Sequence, residues 1–283
     1  MDIEDWYHLD YFDRSQCDKN YSLLDGINTY REILQNYNIP SSFFVLSEIA
    51  ESISSTLREI VKEKNEIGSH GWDHVRPMTI SKSDFYNEIE RSKKTLEDLI
   101  GTQIDGYRAP CFSIDRQRLD LVQKTGFSYD SSRIDFSAHP LYETINMDDF
   151  ELIMQNIYRY NDFFEFQAST ISVYGKNMPI SGGGYIRLLP WFIFKRLLKS
   201  YMSEGKFYVL YIHPFELSSK SNPSFPPNVT WGNRLRFGAG RSTVSRKLSK
   251  LIELLKENDY RFTTFSSLRK TLLSQNDESG SDV

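Results

Sequence analysis

Two of the five histidines in the chain, His70 and His74, lie four residues apart in Gly68-Ser69-His70-Gly71-Trp72-Asp73-His74. They follow a short run, Glu66 to Ser69, that reads as a strand. Imidazoles at this spacing converge on one cation if the backbone turns tightly between them, and Gly71 makes such a turn easy. Neither ring falls on an apolar periodic face, which argues against a pair of packed core histidines. Spacing alone divides evenly between metal binding and a structural role. The missing ligand, base and acid must come from elsewhere in the chain.

The elements that position the pair can be read in order. Asp2-Ile3-Glu4-Asp5 alternates apolar and acidic residues like the end of a strand, and three carboxylates this close repel one another. Leu23, Ile27, Tyr30 and Leu34 fall at helical spacing, and Ser42 to Leu46 is a buried-strand run. Ser47 caps a helix with the stripe Ile49, Ile53, Leu57, Ile60. Ser81 and Asp84 make a capping box for a third helix, with Phe85, Ile89, Leu96 and Leu99 inward and Gly101 at its end. Strands at 104–107 and 127–130 flank a helix at 115–124. Strand and helix thus alternate about every 30 to 40 residues, the rhythm of βαβ units and of a parallel sheet or barrel.

From Phe136 to Ile180 the pattern changes to short aromatic strand-like pieces, read as a β-rich insertion on the rim. Gly182-Gly183-Gly184 is either a close backbone approach to a ligand or a hinge, and no Lys-Ser/Thr follows to make it a phosphate loop. A helix at 188–203, a strand at 207–212 ending in His213-Pro214, a loop at 218–228, a helix around 248–255 and a strand at 261–265 complete the fold. One domain over 1–272 is expected, with a disordered polar tail at 273–283.

Asp2, Glu4, Asp5, His70, Arg108, Asp130 and His213 all fall at or just past the C-terminal end of a predicted strand. That is the edge where α/β folds build active sites. Each residue alone has an ordinary structural explanation; their joint placement does not. A carboxylate with two histidines suits one divalent metal and leaves a second carboxylate as base. Zinc held this way, with water in the open position, is a hydrolytic arrangement, and a further histidine can serve as general acid. No nucleophilic Ser or Cys with a partnered base is visible, and nothing in the sequence depresses the pKa of Cys111.

Composition sets the frame. The 283 residues are 39% hydrophobic, 25% charged and 14% aromatic, with net charge −4. This suits a soluble globular protein and gives no reason to expect nucleic acid as partner. Cys17 and Cys111 make no disulfide framework, the first twenty residues lack an apolar leader core, and Leu188 to Leu198 is too short and too charged to span a bilayer. A cytoplasmic protein is expected. The sequence carries no signal of oligomeric state.

Five ordered motifs join these residues to a known family. They are Asp2-x-Glu4-Asp5-Trp6, His70-x-x-x-His74, Arg108-x-Pro110, Tyr129-Asp130-Ser131-Ser132 and Ile212-His213-Pro214, with Ser41-Ser42-Phe43-Phe44 and Gly182-Gly183-Gly184-Tyr185 beside them. From residue 1 to about 270 the chain resembles the polysaccharide deacetylases (NodB homology, carbohydrate esterase family 4). It is most similar to the branch that opens Asp-x-Glu-Asp-Trp and accompanies exopolysaccharide-assembly genes. The resemblance implies an α/β distorted (β/α)7-type barrel and metal-dependent N-deacetylation of an amino sugar, in a polysaccharide or a lipid-linked glycan precursor met peripherally at a membrane.

Carried onto this chain, the resemblance makes Asp2 the base, His70 and His74 metal ligands, Arg108 the residue that orients the base, and His213 the acid. It makes the Cys111 N–H an oxyanion donor and Asp130 the partner of His213, with zinc as the expected metal. The family has adjacent aspartates where this chain reads Asp2-Ile3-Glu4-Asp5. Residues 2 and 4 of a strand share a side, so Glu4 rather than Asp5 is assigned to the metal. With Met1 directly before Asp2, the first strand is expected to be short and Asp2 weakly held. Two other readings fit the same cleft: a hydrolase opening cyclic ureides such as allantoin, and a glycan-binding member without turnover.

Overall fold

The computed structural model describes residues 1–279 apart from 137, 138, 140 and 144. Five short parallel strands pair in chain order: β1 (Asp2–Ile3), β2 (Ser42–Val45), β3 (Glu66–Ser69), β4 (Gly106–Tyr107) and β5 (Tyr129–Asp130). β2 is buried along its whole length, as a strand covered on both faces must be. The crossovers carry α1 (Gly26–Tyr37), α2 (Ser47–Ala50), α3 (Ser54–Lys62), α4 (Lys82–Ile100) and α5 (Arg116–Lys124). α4 starts as expected, with Ser81 Oγ accepting the Asp84 N–H, and ends at Gly101 with φ 71°. Its buried side holds Phe85, Ile89 and Leu96.

The aromatic segment forms β6 (Glu151–Met154), β7 (Ile157–Tyr160) and β8 (Phe163–Phe166), then the hairpin β9 (Thr170–Val173) and β10 (Lys176–Pro179). It is not confined to the rim. β8 is fully buried and pairs in parallel with β5, with Asp130 opposite Glu165, so it continues the barrel wall. The reason is visible in Phe163-Phe164-Glu165-Phe166, whose three phenylalanines leave one polar side chain, Glu165, and that one is buried beside Asp130.

The wall between β8 and β1 is held by isolated bridges and scattered bonds rather than a continuous strand, and this is where the barrel is distorted. α6 (Gly183–Leu188) and α7 (Trp191–Met202) lead to residues 207–212, which among the described residues join no strand and make an isolated bridge from Tyr211 to Gly182. The Asp2 N–H donates to Ile212 O at 2.9 Å and the Tyr211 N–H to Ser181 O at 2.7 Å. The helix expected over 188–203 forms as α7 but starts only at Trp191, because Pro190 lacks an N–H and forces extended backbone on Leu189, at φ −75° and ψ 135°; the short α6 precedes it.

α8 (Pro214–Leu217), α9 (Trp231–Gly238), α10 (Val244–Lys256) and α11 (Phe265–Ser279) follow. No strand forms at 261–265. Phe265, Leu268, Leu272 and Leu273 instead make a helical stripe that packs against Phe44, Tyr129 and Phe166. α11 runs on to Ser279, into the segment expected as a disordered tail, and residues 280–283 lie outside the described ones. Among the described residues no helix is long and apolar enough to cross a membrane.

β4 lies so close to its neighbour that a Cβ on Gly106 would sit 2.0 Å from Tyr129 Cζ. Gly106→Ala is expected to destabilise by roughly 1–3 kcal/mol. That is a fall of about 2–10 °C in the thermal midpoint, and an unchanged midpoint would show that the ring moves freely.

Candidate active site

β3 delivers His70, whose N–H donates to Val45 O at 2.9 Å. The chain then turns through Gly71 at φ 83°, and His74 itself has φ 65°. Glu88 of α4 accepts the Trp72 N–H and so grips the turn; a Cβ on Gly71 would lie 2.8 Å from Glu88 Oε1. Burial pushes the Glu88 carboxyl up to about 7.

The turn brings both rings to one carboxylate oxygen. Glu4 Oε2 is 2.6 Å from His74 Nε2 and 3.9 Å from His70 Nε2. His70 Nδ1 faces Arg108 O at 2.8 Å, so Nδ1 carries the proton and Nε2 keeps its lone pair. Burial draws the pKa of His70 down to about 4, so the ring is neutral at pH 7. Burial alone would raise Glu4, but His74 and the other imidazoles outweigh it and hold the carboxyl well below the ordinary range.

Ligand atoms of Glu4, His70 and His74 all lie within 4.8 Å of one another, and all three residues are buried. Glu4 Oε2 accepts no well-formed hydrogen bond among the described residues. Two imidazoles and a carboxylate with such an oxygen fit a divalent cation. Asp5 is committed elsewhere: its Oδ1 accepts the N–H groups of Trp6 at 2.8 Å and Leu23 at 2.9 Å.

Asp2 is firmly held. Arg108 Nη1 donates to Asp2 Oδ1 at 2.8 Å, and the guanidinium also donates to Ser131 O at 2.9 Å and Ser131 Oγ at 2.6 Å. The guanidinium lies 4.3 Å from the centre of the Phe44 ring. Burial would raise the Asp2 carboxyl, but Arg108 outweighs this and keeps it below its ordinary value.

His213 faces the same carboxylate from the other side, with Nε2 3.6 Å from Glu4 Oε1. Its expected partner Asp130 is not the one it has. Asp130 accepts from Ser132 Oγ at 2.8 Å and Ser132 N–H at 2.9 Å and stands beside Glu165, while His213 Nδ1 is 3.2 Å from Glu216 Oε2. The reason is local: β5 aims Asp130 at its own following turn, whereas Glu216 is the N3 residue of a helix that His213 caps. Arg187 Nε holds Glu216 Oε1 at 3.1 Å. Burial opposes the charge on His213, but Glu216 and Glu4 raise its pKa to about 9.

Gly183 explains the glycine run. A Cβ there would be 1.9 Å from Glu216 Oε2, so the close approach is to this chain's own carboxylate. Cys111 has φ 55° and Phe112 φ 53°, left-handed backbone that costs a non-glycine residue about 1 kcal/mol or more. The Cys111 thiol lies 3.2 Å from Asp10 Oδ2, and burial, with Asp10 adding to it, pushes its pKa well up, so it is no nucleophile.

Sequence reading missed His8, Asp10, Glu216 and Glu165. His8 is buried with its ring centre 6.5 Å from that of His74, and Asp10 Oδ1 is 4.0 Å from His74 Nδ1. Burial, with Asp130 adding to it, pushes the Glu165 carboxyl well above its ordinary value. Only Glu216 had a signal, the cap-to-N3 spacing after His213-Pro214.

Residues 18–129 match the polysaccharide deacetylase family and residues 131–270 match DUF3473, a domain of unknown function. A peptidoglycan deacetylase of Helicobacter pylori is 27% identical over 117 residues, 41% of this chain and 40% of that protein. The peptidoglycan-N-acetylmuramic acid deacetylase PdaC of Bacillus subtilis is 30% identical over 81 residues, 29% of this chain and 16% of that protein. The chain thus aligns with well under half the length of either relative.

Among solved structures, a Mycobacterium smegmatis protein assigned to the polysaccharide deacetylases superposes with TM-score 0.59 at 19% identity, over 90% of this chain and 79% of that one. The PuuE allantoinase superposes with TM-score 0.59 at 16% identity, over 87% and 71%. Residues 18–129 thus match the polysaccharide deacetylase family, and the chain as a whole has the NodB-like fold. One sheet joins the two matched segments, because β8 of the second pairs with β5 at the end of the first.

Proposed function

We propose that the protein hydrolyses the N-acetyl group of an amino sugar in a glycan, with a divalent cation, zinc, held by Glu4, His70 and His74. The observation that carries this reading is the convergence of the His70–His74 turn and the His213–Glu216 pair on the Glu4 carboxylate, with the Asp2–Arg108 pair within electrostatic reach of His70 and His213. The cation, when bound, supplies Lewis-acid polarisation of water and of the acetamide carbonyl.

Asp2, kept ionised by Arg108, takes the proton of the attacking water. The Cys111 N–H, held in strained backbone at the cleft, donates to the developing oxyanion. His213, charged at neutral pH, gives its proton to the departing amine as the C–N bond breaks, leaving acetate and a free amino sugar. Relatives named peptidoglycan deacetylases support a glycan substrate, whereas the ureide reading has only a likeness of fold behind it. The Asp2-x-Glu4-Asp5-Trp6 opening supports a polysaccharide or lipid-linked precursor, met at the cytoplasmic face, as the glycan.

The test is acetate release from N-acetylated chito-oligosaccharide by the zinc-loaded protein, with allantoin in parallel. Release that chelation stops and zinc restores is expected. No release, or release only of ureide product, overturns the reading.

The acid has its own signature. Its proton is present below a pKa of about 9 and is lost above it, so kcat/KM falls as pH rises through that value. Glu216→Gln removes the charge beside Nδ1 and is expected to move this basic limb down by about 1–2 pH units. A limb that stays in place would assign the proton to another group.

A further inference from the structure

Charge is distributed very unevenly along this chain. Between residues 183 and 252 there are twelve Lys or Arg and two Asp or Glu, although the whole chain has a net charge of −4. The two acids are not free to balance that excess. Glu216 is buried against Arg187, and Glu204 pairs with Lys206.

The same segment exposes apolar side chains. At the end of α6 and the start of α7, Leu188 is 54% exposed, Phe192 74% and Ile193 38%. Single exposed apolar residues are ordinary, but these three fall within six positions of one another. One helical turn further on, Lys195, Arg196 and Lys199 are all exposed on α7, whose other side buries Phe194, Leu198 and Tyr201. Lys250 of α10 stands 5.9 Å from the Trp191 ring, extending the basic rim. Among residues 183–203 there is no acid at all.

We propose that the end of α6 and the outer side of α7 form a docking face for a bilayer that bears anionic headgroups. Leu188, Phe192 and Ile193 enter the headgroup boundary while Lys195, Arg196 and Lys199 meet the anionic surface. A protein partner would select against this lysine-rich rim, and a soluble polyanion would gain nothing from the bare Phe192 and Ile193. Apolar and aromatic side chains edged by Lys and Arg are the pattern of helices that lie in a membrane interface.

The face is tied to the site by α6, which is six residues, or about 9 Å, long. Its first residue, Gly183, lies against Glu216, the partner of His213. A glycan anchored in the same bilayer would therefore be presented beside the acid. Docking itself does not depend on the deacetylase reading, because it is measured without turnover.

The test is co-sedimentation of the full chain with vesicles of three parts phosphatidylcholine to one part phosphatidylglycerol, and with phosphatidylcholine alone. Binding to the anionic vesicles only, released at high salt, is expected. Joint Lys195→Glu, Arg196→Glu and Lys199→Glu should lower the partition coefficient about a hundredfold or more, from roughly fivefold per basic side chain. Phe192→Ser with Ile193→Ser should lower it about tenfold. Both variants should keep the wild-type circular dichroism spectrum and release acetate from soluble chito-oligosaccharide at the wild-type rate.

No binding to anionic vesicles overturns the proposal. So does binding that survives the Phe192 and Ile193 changes, which would make the face a simple anion patch. Concentration-dependent dimerisation lost with Phe192→Ser, without vesicle binding, would assign the face to a second copy instead.

Discussion

Asp2→Asn is expected to lower kcat by about 10²–10⁴-fold, the usual worth of a positioned base, while the zinc content per chain stays at the wild-type level. The substitution keeps the shape and an oxygen for Arg108 but removes the charge that accepts the proton. Arg108 is 1% exposed and shares a 2.8 Å bond with Asp2, so the change also leaves a buried guanidinium without its counter-ion. Breaking such a pair costs up to roughly 3–5 kcal/mol, less where an amide oxygen still accepts, and a lowered thermal midpoint should accompany the lost rate. Because Asp2 is not among the groups proposed to hold the cation, rate and metal content separate in this variant. If kcat stays within tenfold of wild type, Asp2 is not the base.

His74→Ala should bring down both quantities. The ring supplies the nitrogen nearest Glu4 Oε2, at 2.6 Å, and only His70 and Glu4 would remain of the three donors. Two donors hold a zinc ion far more weakly than three, so zinc per chain and acetate release should both fall to background. A stability readout checks this without any substrate. At a hundredfold excess over its Kd, a bound ion stabilises the folded chain by about 2.7 kcal/mol. For a chain of this size that raises the midpoint by roughly 5–10 °C, and His74→Ala should abolish the rise. A variant that still binds zinc stoichiometrically would move the site to ligands other than His74, and would rule out both clusters that include this ring.

The outcome for each element follows from how local its cause is. The α4 helix was legible because cap, apolar stripe and terminal glycine lie within twenty residues and act on one another directly. The parallel order of β1 to β5 followed from the alternation of strand and helix. Residues 261–265 read as a strand because Phe262, Thr263, Thr264 and Phe265 favour extended backbone, yet 261–264 stay irregular and α11 starts at Phe265. What decided for α11 was the aromatic floor of Phe44, Tyr129 and Phe166, contributed by three separate strands. β8 joined the wall for the same kind of reason, since its apolar side chains meet β5 only after both have folded.

In the site the division is equally physical. Residue types and strand-end positions alone singled out His70, His74, Asp2, Arg108 and His213, because metal ligation and proton transfer need those side chains and the sheet edge needs those positions. The two-residue strand period set Glu4 apart from Asp5, and the chain turns Glu4 towards the histidines while Asp5 caps its own turn. The family resemblance assigns Asp130 to His213, whereas the cap-to-N3 spacing marks Glu216. Asp130 and Glu216 are both acids near the right edge, and the choice rests on where two backbones come to lie. Gly183 lets α6 approach within contact of Glu216, and Arg187 fixes it there. Chemistry was written in residue types and spacing; partnership depended on distances between segments far apart in the chain, which only the folded barrel sets.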